Sequence, residues 1–326
     1  MNPAPHITCI GEIIVDLLST KPGTSLSGSP GFLKFAGGAP ANVAVGLAKL
    51  GIRSSFIGRV GNDPFGKFLT DELRHSGVDV SGVRIDNNHK TRLAFVSLTK
   101  TGERNFEFWE RFPADEQFRK SDINKKTLER SDIVHLSSFL LLSEQTRTFI
   151  LNLAEELHRK KVMISCDPNL RLSLWKSPAE AKRVINRMIQ SSSILHVNKE
   201  EALFLTGSST IAKAAVKLLS QGPLIVVITQ GAKGCSVYTN NANLFIKSFR
   251  VTAVDTTGCG DGFLAGFLKG IALAGCNIRD LTSDDLRSHC IYANAVAAIT
   301  ATRKGVIAAL PTPAEVKRFL STHNVS

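Results

Sequence analysis

The stretch DTTGCGDGF, residues 255–263, leads directly into the apolar segment LAGFL, residues 264–268. The apolar segment predicts a buried helix, and the small residues Gly258, Cys259 and Gly260 leave backbone N–H groups unobstructed where that helix begins. The positive end of the helix dipole favours an anion at this place, such as a phosphoryl group in transfer. The sequence therefore predicts an anion-binding helix N-terminus.

Asp261 lies in the first turn of the same predicted helix. A carboxylate that faces an anion site repels the anion, so its presence needs another reason. It either caps the helix or accepts the proton of an attacking hydroxyl group. The residues alone leave both roles open.

A second glycine motif, GGAPANVAVGLAKLG, covers residues 37–51. Pro40 suits the first position of a helix. Gly37 and Gly38 let backbone approach a ligand, and Asn42 in the first turn offers both a hydrogen-bond donor and an acceptor. The motif is typical of a helix start that contacts a ligand or, in the simpler alternative, of a tight turn alone.

Apolar runs suited to buried parallel strands recur through the chain, and helix-period segments separate many of them. The runs are residues 7–10, 54–57, 133–136, 162–166, 194–197 and 224–229, and the helical segments include 149–158, 179–189 and 211–219. This alternation predicts an α/β fold with a parallel sheet covered by helices. We expect residues 1–326 to form a single domain, because we find no interdomain linker or internal repeat.

Two stretches, residues 13–35 and 91–112, break the alternation. The first is rich in Gly, Ser and Pro, and within the second the segments 91–98 and 105–109 are typical of paired strands. We expect these stretches to form a small β-sheet. A sheet over the carboxyl ends of the main strands, where open α/β sheets bind ligands, would act as a lid.

Composition excludes several classes of protein. The 40 Lys+Arg residues against 28 Asp+Glu give a formal charge of +12, but the basic residues are scattered with few aromatic neighbours, so we expect no nucleic-acid binding. No run of 18 apolar residues is present, and Glu12 and Asp16 interrupt the start, so we expect a cytoplasmic protein without membrane contact.

The six cysteines show no C-x-x-C spacing and are expected to be reduced. No G-x-G-x-x-G follows the first strand, which argues against a nicotinamide-dependent dehydrogenase.

Taken together, the two glycine motifs resemble the two signature motifs of the ribokinase-like (PfkB) carbohydrate kinase family, in the same order and at similar separation. Four segments between them are also similar to family elements: GRVGNDPFG (58–66), DPNLR (167–171), NKEE (198–201) and TQGAKG (229–234). The resemblance covers nearly the whole chain. It implies a three-layer core of helices, mostly parallel sheet and helices with a β lid, and ATP-dependent phosphorylation of a sugar hydroxymethyl group.

The resemblance also implies roles for single residues. Asp261 would be the general base, and the amides of Gly258, Cys259 and Gly260 would hold charge on the transferred phosphoryl group. Glu201 would orient Mg²⁺ through water, although Asn198 and Glu201 also suit an ordinary charged helix start. The positions implied at ATP are Asn169, Asn198, Thr229, Gly231, Gly234, Gly260 and Asn294.

A monovalent cation is a further implication, because Asp255 and Thr257 match positions that hold K⁺ in potassium-activated members. The carbonyl groups near Thr300, Arg303 and Gly305 would complete that site. K⁺ activation is therefore a hypothesis here. A homodimer formed through the lid is a further expectation.

On the sugar side, Asp16, Gly37, Gly38 and Asn42 match family positions that bind sugar hydroxyls. WERFPADE (109–116) resembles the fructokinase element that places an arginine near the sugar, here Arg111, so D-fructose is the first choice of substrate and fructose 6-phosphate the product. The segment is one residue shorter than the usual form, so 2-keto-3-deoxygluconate or another sugar or sugar acid remains an alternative.

Two departures from the family pattern bear on catalysis. Cys259 replaces the common Ala in the anion hole, and a thiol at a helix N-terminus is expected to have a lowered pKa and to be sensitive to oxidation. A non-catalytic regulatory protein of the same fold would be expected to lose Asp261 or a loop glycine. Neither is lost, so an active kinase is favoured.

Overall fold

The computed structural model describes residues 4–21, 23–98, 104–109 and 111–323. Its strands, in chain order, are β1 (His6–Ile10), β2 (Ile14–Ser19), β3 (Phe32–Gly37), β4 (Arg53–Gly61), β5 (Asp79–Asp86), β6 (Leu93–Leu98), β7 (Arg104–Phe108), β8 (Ile133–Ser137), β9 (Met163–Asp167), β10 (Ile194–Asn198), β11 (Ile225–Thr229), β12 (Gly234–Tyr238) and β13 (Asn243–Lys247).

The α-helices alternate with these strands over much of the chain. They are α1 (Ala39–Lys49), α2 (Pro64–His75), α3 (Lys125–Glu129), α4 (Glu144–Arg159), α5 (Pro178–Gln190), α6 (Lys199–Thr206), α7 (Ile211–Leu219), α8 (Cys259–Leu273), α9 (Ser283–Ala301) and α10 (Pro313–Thr322). The helical segments predicted at 149–158, 179–189 and 211–219 lie within α4, α5 and α7.

The main sheet has nine strands in the order β13-β12-β11-β10-β9-β8-β1-β4-β5. Neighbouring strands from β11 to β5 are parallel, whereas β12 and β13 are antiparallel additions at one edge. All six predicted apolar runs lie in this sheet. The prediction of a mostly parallel sheet is confirmed.

Side chains of one strand face two different hydrophobic cores, because successive residues of a strand point to opposite faces. In β11, Ile225 and Val227 pack with α1, α2, α8, α9 and α10, whereas Val226 and Ile228 pack with α4, α5, α6 and α7. The sheet is therefore the middle layer between two layers of helices, and the predicted three-layer core is confirmed.

A second sheet has four strands in the order β3-β2-β6-β7. Strand β2 pairs antiparallel with β3 and parallel with β6, and β6 pairs antiparallel with β7. Its strands come from the two stretches that broke the α/β alternation. The predicted small β-sheet is present.

The strand order reverses at β1, which lies between β4 and β8. The chain adds β4 and β5 on one side of β1 and β8 to β11 on the other. In an open α/β sheet, ligands bind at the carboxyl ends of the strands near such a reversal. We therefore expect the ligand site at the residues that follow β1, β8, β9, β10 and β11.

Helices α1 and α8 cross at close range on the same face of the sheet. A Cβ added to Gly46 of α1 would lie 2.7 Å from Cβ of Ala265 in α8, closer than real Cβ atoms approach. The missing side chain at Gly46 is what allows the two helices to approach this closely.

Within the described ranges, no helix taken singly combines the length and the apolar composition needed to cross a membrane. Only α6 and α7 taken together satisfy such a test, and these two helices are bent by 63° relative to each other.

Candidate active site

A cleft of about 420 Å³ opens at the carboxyl ends of the parallel strands, beside the small sheet. Its walls come from four places in the fold: the small sheet, the start of α1, the strand ends and the start of α8. The predicted site residues on its walls are Asp16, Gly38, Asn42, Asn169, Asn198, Glu201, Thr229, Thr257, Gly258, Gly260 and Asp261. The fold therefore brings most of the predicted residues together.

The start of α8 has the geometry of an anion-binding helix N-terminus. Gly258 is the N-cap with φ 72°, in the left-handed region, and a Cβ at this position would lie 2.2 Å from Cγ1 of Val306. Gly260 in the first turn has open space, since a Cβ added there would lie 3.9 Å from Cε1 of His196. Glycine at 258 is thus required by the turn, and backbone at 260 is free to meet a ligand.

Asp261 does not cap α8, because Gly258 is the N-cap and no side-chain hydrogen bond caps this helix. Its Oδ2 instead accepts a hydrogen bond of 2.8 Å from Nδ2 of Asn42 in α1. Burial, reinforced by the charge of Asp167, raises the pKa of Asp261 to about 7, although Asn42, Arg171 and His196 act in the opposite direction. A carboxyl group with this pKa can hold or release a proton near neutral pH.

The sugar-side residues meet where β2, β3 and α1 converge. A Cβ at Gly37 would lie 2.3 Å from Oδ2 of Asp16, so the absence of a side chain at 37 makes room for the Asp16 carboxylate. Gly38 has φ 105°, and a Cβ there would lie 2.5 Å from the carbonyl oxygen of Glu12. The two glycines therefore shape the wall on which Asp16 and Asn42 lie.

Glu12 is a site residue that sequence reasoning missed. It is buried, lines the cleft, and accepts hydrogen bonds from the backbone N–H of Ala39 at 3.0 Å and the hydroxyl of Ser137 at 3.1 Å. Burial raises its pKa to about 8. The carboxyl group links the start of α1 to the end of β8, and its only signal in the sequence is an isolated acid in an apolar run.

The prediction for Arg111 is not met in the structure. Arg111 is exposed, lies 5.4 Å from the Phe112 ring centre and is not among the residues that line the cleft. The arginine buried near the cleft is Arg92, which pairs with Asp115 at 2.9 Å and Glu116 at 2.7 Å. Within the WERFPADE segment, Asp115 and Glu116 pair with Arg92, whereas Arg111 is exposed.

The cleft wall in front of Arg92 is aromatic. The guanidinium lies 5.6 Å from the ring centre of Phe108 and 5.0 Å from that of Phe139, and both rings line the cleft. Arg92 therefore packs behind the two rings and is not itself among the residues that line the cleft.

Asn198 and Glu201 form a reciprocal capping box at the start of α6. Oδ1 of Asn198 accepts from the Glu201 N–H at 2.8 Å, and Oε2 of Glu201 accepts from the Asn198 N–H at 2.9 Å. The alternative of a charged helix start is therefore present in the structure. Both residues also line the cleft, so the capping role does not remove them from the site.

Glu201 is the candidate residue for holding Mg²⁺. Its Oε1 also accepts from the Leu170 N–H at 2.7 Å, and burial with the charge of Asp167 raises its pKa to about 7. The described residues contain no group of three or more His, Cys, Asp or Glu side chains arranged to hold a metal ion. This donor set fits an ion that keeps its waters and is held mainly by nucleotide phosphates, as Mg²⁺ is.

The remaining nucleotide positions separate into two groups. Asn169, with φ 42°, and Thr229 line the cleft. Gly231, with φ 58°, and Gly234, with φ 113°, form the turn after β11 and are not among the residues that line the cleft. Their glycine identity follows from backbone geometry, since a Cβ at Gly234 would lie 2.1 Å from the carbonyl oxygen of Ile246.

The structure places Asn294 away from the cleft wall. Its side chain is buried in α9, and Nδ2 donates to the carbonyl oxygen of Lys247 at 3.1 Å. The amide therefore holds α9 against β13. Asn294 is not among the residues that line the cleft, and a contact of its amide with the nucleotide stays a prediction.

Asp255 connects the segment before α8 to the segment after α9. Oδ1 accepts from the Thr257 N–H at 3.0 Å, and Oδ2 accepts from the Gly305 N–H at 3.3 Å. The side chains of Thr300 and Arg303 are engaged elsewhere, with Val296 and Glu315 respectively. Only backbone carbonyls of 300 and 303 are thus candidates for cation ligation, as the resemblance implied.

The expectation of a lowered thiol pKa at Cys259 is wrong. Burial, together with the negative charges of Asp255 and Asp261, raises the pKa of Cys259 to about 12. Burial is the larger cause, and the two carboxylates add to it. Its thiol is therefore protonated at neutral pH.

A buried Asp–His pair lies under the anion hole and was not predicted. Nδ1 of His196 lies 2.8 Å from Oδ2 of Asp167, and the His196 ring stacks on Phe263 with ring centres 5.4 Å apart. Both members of the pair line the cleft, as does Arg171. Asp167 and Arg171 belong to the quoted DPNLR segment and His196 lies two residues before NKEE, but nothing in the sequence pairs them.

Comparisons with known proteins show the family to which the chain belongs. The family model described as "pfkB family carbohydrate kinase" matches residues 4–313. The chain is 38% identical over 323 residues to "Probable fructokinase-5" of Arabidopsis thaliana, covering 99% of both chains. A fructokinase structure with bound ATP from Xylella fastidiosa has a TM-score of 0.88 at 29% identity, covering 97% of this chain and 98% of that one.

A second solved structure bears on the ligands. A fructokinase double mutant from Vibrio cholerae O395, in a fructose, ADP and potassium ion bound form, has a TM-score of 0.86 at 33% identity, covering 97% of this chain and 98% of that one. The family match, the near-complete coverage and the layered fold lead to one conclusion. The chain belongs to the pfkB family of carbohydrate kinases.

Proposed function

We propose that the protein transfers the γ-phosphoryl group of ATP to the hydroxymethyl group of D-fructose and forms fructose 6-phosphate. The observation that carries this proposal is the position of Asp261, a carboxyl group with a pKa of about 7 in the first turn of α8, beside the glycine N-cap of that helix. Asp16, Gly38 and Asn42 line the same cleft on the side of the small sheet. The fructose and ADP of the similar structure support the choice of sugar.

Phosphoryl transfer needs a base on one side of the sugar oxygen and positive charge around the phosphoryl group. Asp261 accepts the hydroxymethyl proton while the sugar oxygen forms a bond to the γ-phosphorus, and the bond to the bridging oxygen of ADP breaks. The amides of Gly258, Cys259 and Gly260 hold the charge on the phosphoryl oxygens. Asn42 supports the ionised form of Asp261 through its 2.8 Å hydrogen bond.

The charge of the sugar side favours a neutral sugar over a sugar acid. Asp16 lines the cleft and accepts hydrogen bonds from hydroxyl groups, but it repels a carboxylate. Arg111, the residue that carried the first choice of fructose from the sequence, faces away. Fructose therefore rests on Asp16 and on the relatives, and 2-keto-3-deoxygluconate is the alternative that the assay below includes.

On the nucleotide side, Asn169, Asn198 and Thr229 line the cleft and are proposed to contact ATP, with Gly231 and Gly234 shaping the loop after β11. Glu201 would hold Mg²⁺ through water. When bound, the ion neutralises charge on the phosphates and so assists the transfer. The side chains of this protein then fix the nucleotide against the start of α8.

K⁺ is proposed as an activator held beside the anion hole. The support is that Asp255 contacts Thr257, Ala301 and Gly305, so the segment before α8 lies against the segment after α9. The carbonyl groups of Thr300, Arg303 and Gly305 would supply the remaining ligands. Turnover measured in K⁺ and then in Na⁺ of equal ionic strength tests this. Equal rates in the two salts would remove the cation from the mechanism.

A homodimer through the small sheet is also proposed. Leu33 in β3 is 54% exposed and Trp109 after β7 is 69% exposed, which are large apolar side chains to leave in water. Sedimentation of the protein and of a Trp109→Ser variant tests this. Cytoplasmic location and the absence of nucleic-acid binding stay predictions.

The test of the proposed function is ADP release with Mg·ATP and K⁺ across fructose, 2-keto-3-deoxygluconate, ribose, glucose and adenosine. We expect strong preference for fructose. Preference for the sugar acid would keep the mechanism and overturn the substrate. No release with any acceptor would instead support a non-catalytic protein of the same fold, and the Asp261→Asn variant supplies the background rate.

A further inference from the structure

His196 occupies a position between the sheet and the anion hole. It lies on β10, two residues before Asn198, and its side chain is turned toward α8, where its ring stacks on Phe263. The residue is only 4% exposed, yet it lines the cleft. Its Cε1 lies 3.9 Å from the position of a Cβ built on Gly260, and apart from the local backbone of α8 no other described atom lies within 4 Å of that position.

The two ring nitrogens of His196 differ in their partners. Nδ1 is 2.8 Å from Oδ2 of Asp167, whereas the buried Nε2 has no hydrogen-bond partner within the described part of the chain. The second oxygen of Asp167 accepts from the Asn169 N–H at 2.9 Å, so both carboxylate oxygens are engaged. A buried nitrogen without a partner, on a ring whose adjacent Cε1 comes within 3.9 Å of the Gly260 Cβ position, points to a ligand atom that completes the contact.

The partner of Nδ1 decides what Nε2 can do. The carboxylate of Asp167 only accepts hydrogen bonds, so Nδ1 carries the proton between the two groups. Nε2 then lacks a proton in the neutral ring and carries one only in the imidazolium. The oxygens of a fully ionised phosphoryl group only accept, so a contact from Nε2 to such an oxygen requires the imidazolium.

Titratable groups on several elements of the fold act on the Asp167–His196 pair. Asp167 is on β9, Glu201 on α6 and Asp261 on α8, while His135 on β8 lies beside Asp167. Burial by itself lowers the pKa of His196, but Asp167, Glu201 and Asp261 together raise it above its ordinary value. In turn, despite burial, His196 and His135 hold the pKa of Asp167 below its usual range. The surroundings thus favour the charged pair.

We propose that His196 is a catalytic residue of the transfer: oriented by Asp167, its imidazolium donates a hydrogen bond from Nε2 to an oxygen of the phosphoryl group beside Gly260. The proposal rests on the kinase function proposed above and adds a side-chain cation to the backbone anion hole. His196 keeps its proton throughout, since Asp261 takes the proton of the sugar hydroxyl. The step therefore needs Asp261 ionised and His196 protonated at the same time.

The first test is the pH dependence of kcat for the wild-type protein and three variants. We expect wild-type kcat to fall at alkaline pH as His196 loses its proton. His196→Asn should lose about 10²-fold in kcat, as when one anion-hole donor is removed, with little change in the KM for fructose. Asp167→Asn should move the alkaline fall to lower pH, and His196→Lys should regain activity over His196→Asn because it restores a cation.

A purely structural role for His196 predicts a different result. In that case His196→Asn lowers thermal stability while the folded fraction keeps kcat within threefold and the same pH profile, which would overturn the proposal. A wild-type profile without an alkaline fall would also overturn it, even if the variants do not fold. His289→Asn is the matched control, since its Nε2 is also buried without a hydrogen-bond partner among the described residues, and its ring contacts Phe267 of α8, away from the cleft.

A binding measurement separates this proposal from the proposed function. In ¹⁵N NMR of histidine-labelled protein, the imidazole of His196 should keep its proton to higher pH when Mg²⁺ and the non-hydrolysed analogue AMP-PNP are present. An unchanged titration with bound AMP-PNP would overturn the role of His196 even if fructose is phosphorylated. A shifted titration without turnover on any sugar would overturn the proposed function and leave the His196 contact supported.

Discussion

Nδ2 of Asn42 lies 2.8 Å from Oδ2 of Asp261, and this hydrogen bond joins two residues that are 219 positions apart in the sequence. It holds the first turn of α1 against the first turn of α8. The two glycine motifs therefore meet at one pair of side chains, with the sugar-side residues on one side and the anion hole on the other.

Replacing Asp261 with Asn should reduce kcat by about 10²–10⁴-fold, because the amide cannot accept the hydroxyl proton. The carbonyl oxygen of the new amide still accepts from Asn42, so the fold should be retained. Steady-state ADP release with circular dichroism of the folded protein checks this. Turnover close to wild type would mean that Asp261 is not the base.

The same variant should be more stable than wild type at pH 8. The pKa of Asp261 is raised from 3.8 to about 7 in the folded protein, so the folded state binds more protons than the unfolded state between these values. Stability due to this group therefore decreases as the pH rises through that window. We expect Asp261→Asn to raise the Tm at pH 8 and the difference to shrink toward pH 5. An equal gap at both pH values would contradict the raised pKa.

Asn42→Ala should move the acidic limb of the pH profile of kcat to higher pH. The Asn42 hydrogen bond favours the ionised form of Asp261, so its loss raises the pKa of that carboxyl further. Asn186→Ala is the control, because Asn186 is also a helical asparagine with an unpartnered buried Oδ1 but is not among the residues that line the cleft. If the acidic limb of the kcat profile of Asn42→Ala stays at its wild-type pH, the Asn42 hydrogen bond does not affect the pKa of Asp261.

Asp16→Ala and Gly37→Ala should each raise the KM for fructose and leave the KM for ATP unchanged. Hydrogen bonds to a charged group contribute about 1.5–3 kcal/mol, which corresponds to roughly a 10- to 100-fold change. Gly37→Ala acts indirectly, since its Cβ would lie 2.3 Å from Oδ2 of Asp16. Gly31→Ala is the control in the same region, where the nearest atom is 3.8 Å away. A parallel rise in the KM for ATP would indicate general damage to the cleft.

Gly258→Ala and Gly260→Ala should differ in stability. Alanine at 258 must adopt φ 72° and meets Val306 at 2.2 Å, so we expect a loss of at least about 1–2 kcal/mol in the free energy of unfolding. Alanine at 260 has a helical backbone and no neighbour closer than 3.9 Å, so its unfolding should change little. Urea unfolding of both variants compares them directly. Equal losses would contradict the backbone argument.

Iodoacetamide at pH 7.5 should modify Cys276 well before Cys259. Cys276 is exposed, whereas the pKa of Cys259 is raised to about 12 and little thiolate is present. Peptide mass spectrometry at timed intervals gives the order. Cys259→Ala should retain activity, because alanine also leaves the backbone amides free. Faster reaction at Cys259 would restore the interpretation of a reactive thiol.

Local patterns in the sequence predicted the fold well because apolar runs and glycine motifs are short-range signals. Asp261 and the start of α8 could be predicted for the same reason, because they lie within one helical turn of each other in the sequence. The pairing of Arg92 with Asp115 and Glu116 could not, since these residues are 23 and 24 positions apart. The same holds for Asn294, which turns to Lys247. The Asp167–His196 pair was missed because its members lie on different strands.

The close approach of Gly46 to Ala265 links the packing of the core to the geometry of the active site. These residues set the spacing of α1 and α8 one helical turn beyond Asn42 and Asp261. A methyl group added at Gly46 would force the helices apart and lengthen the hydrogen bond that supports the base. Selection for turnover therefore acts on the interior of the molecule as well, and a loss of activity in a natural variant can originate at a residue that no substrate touches.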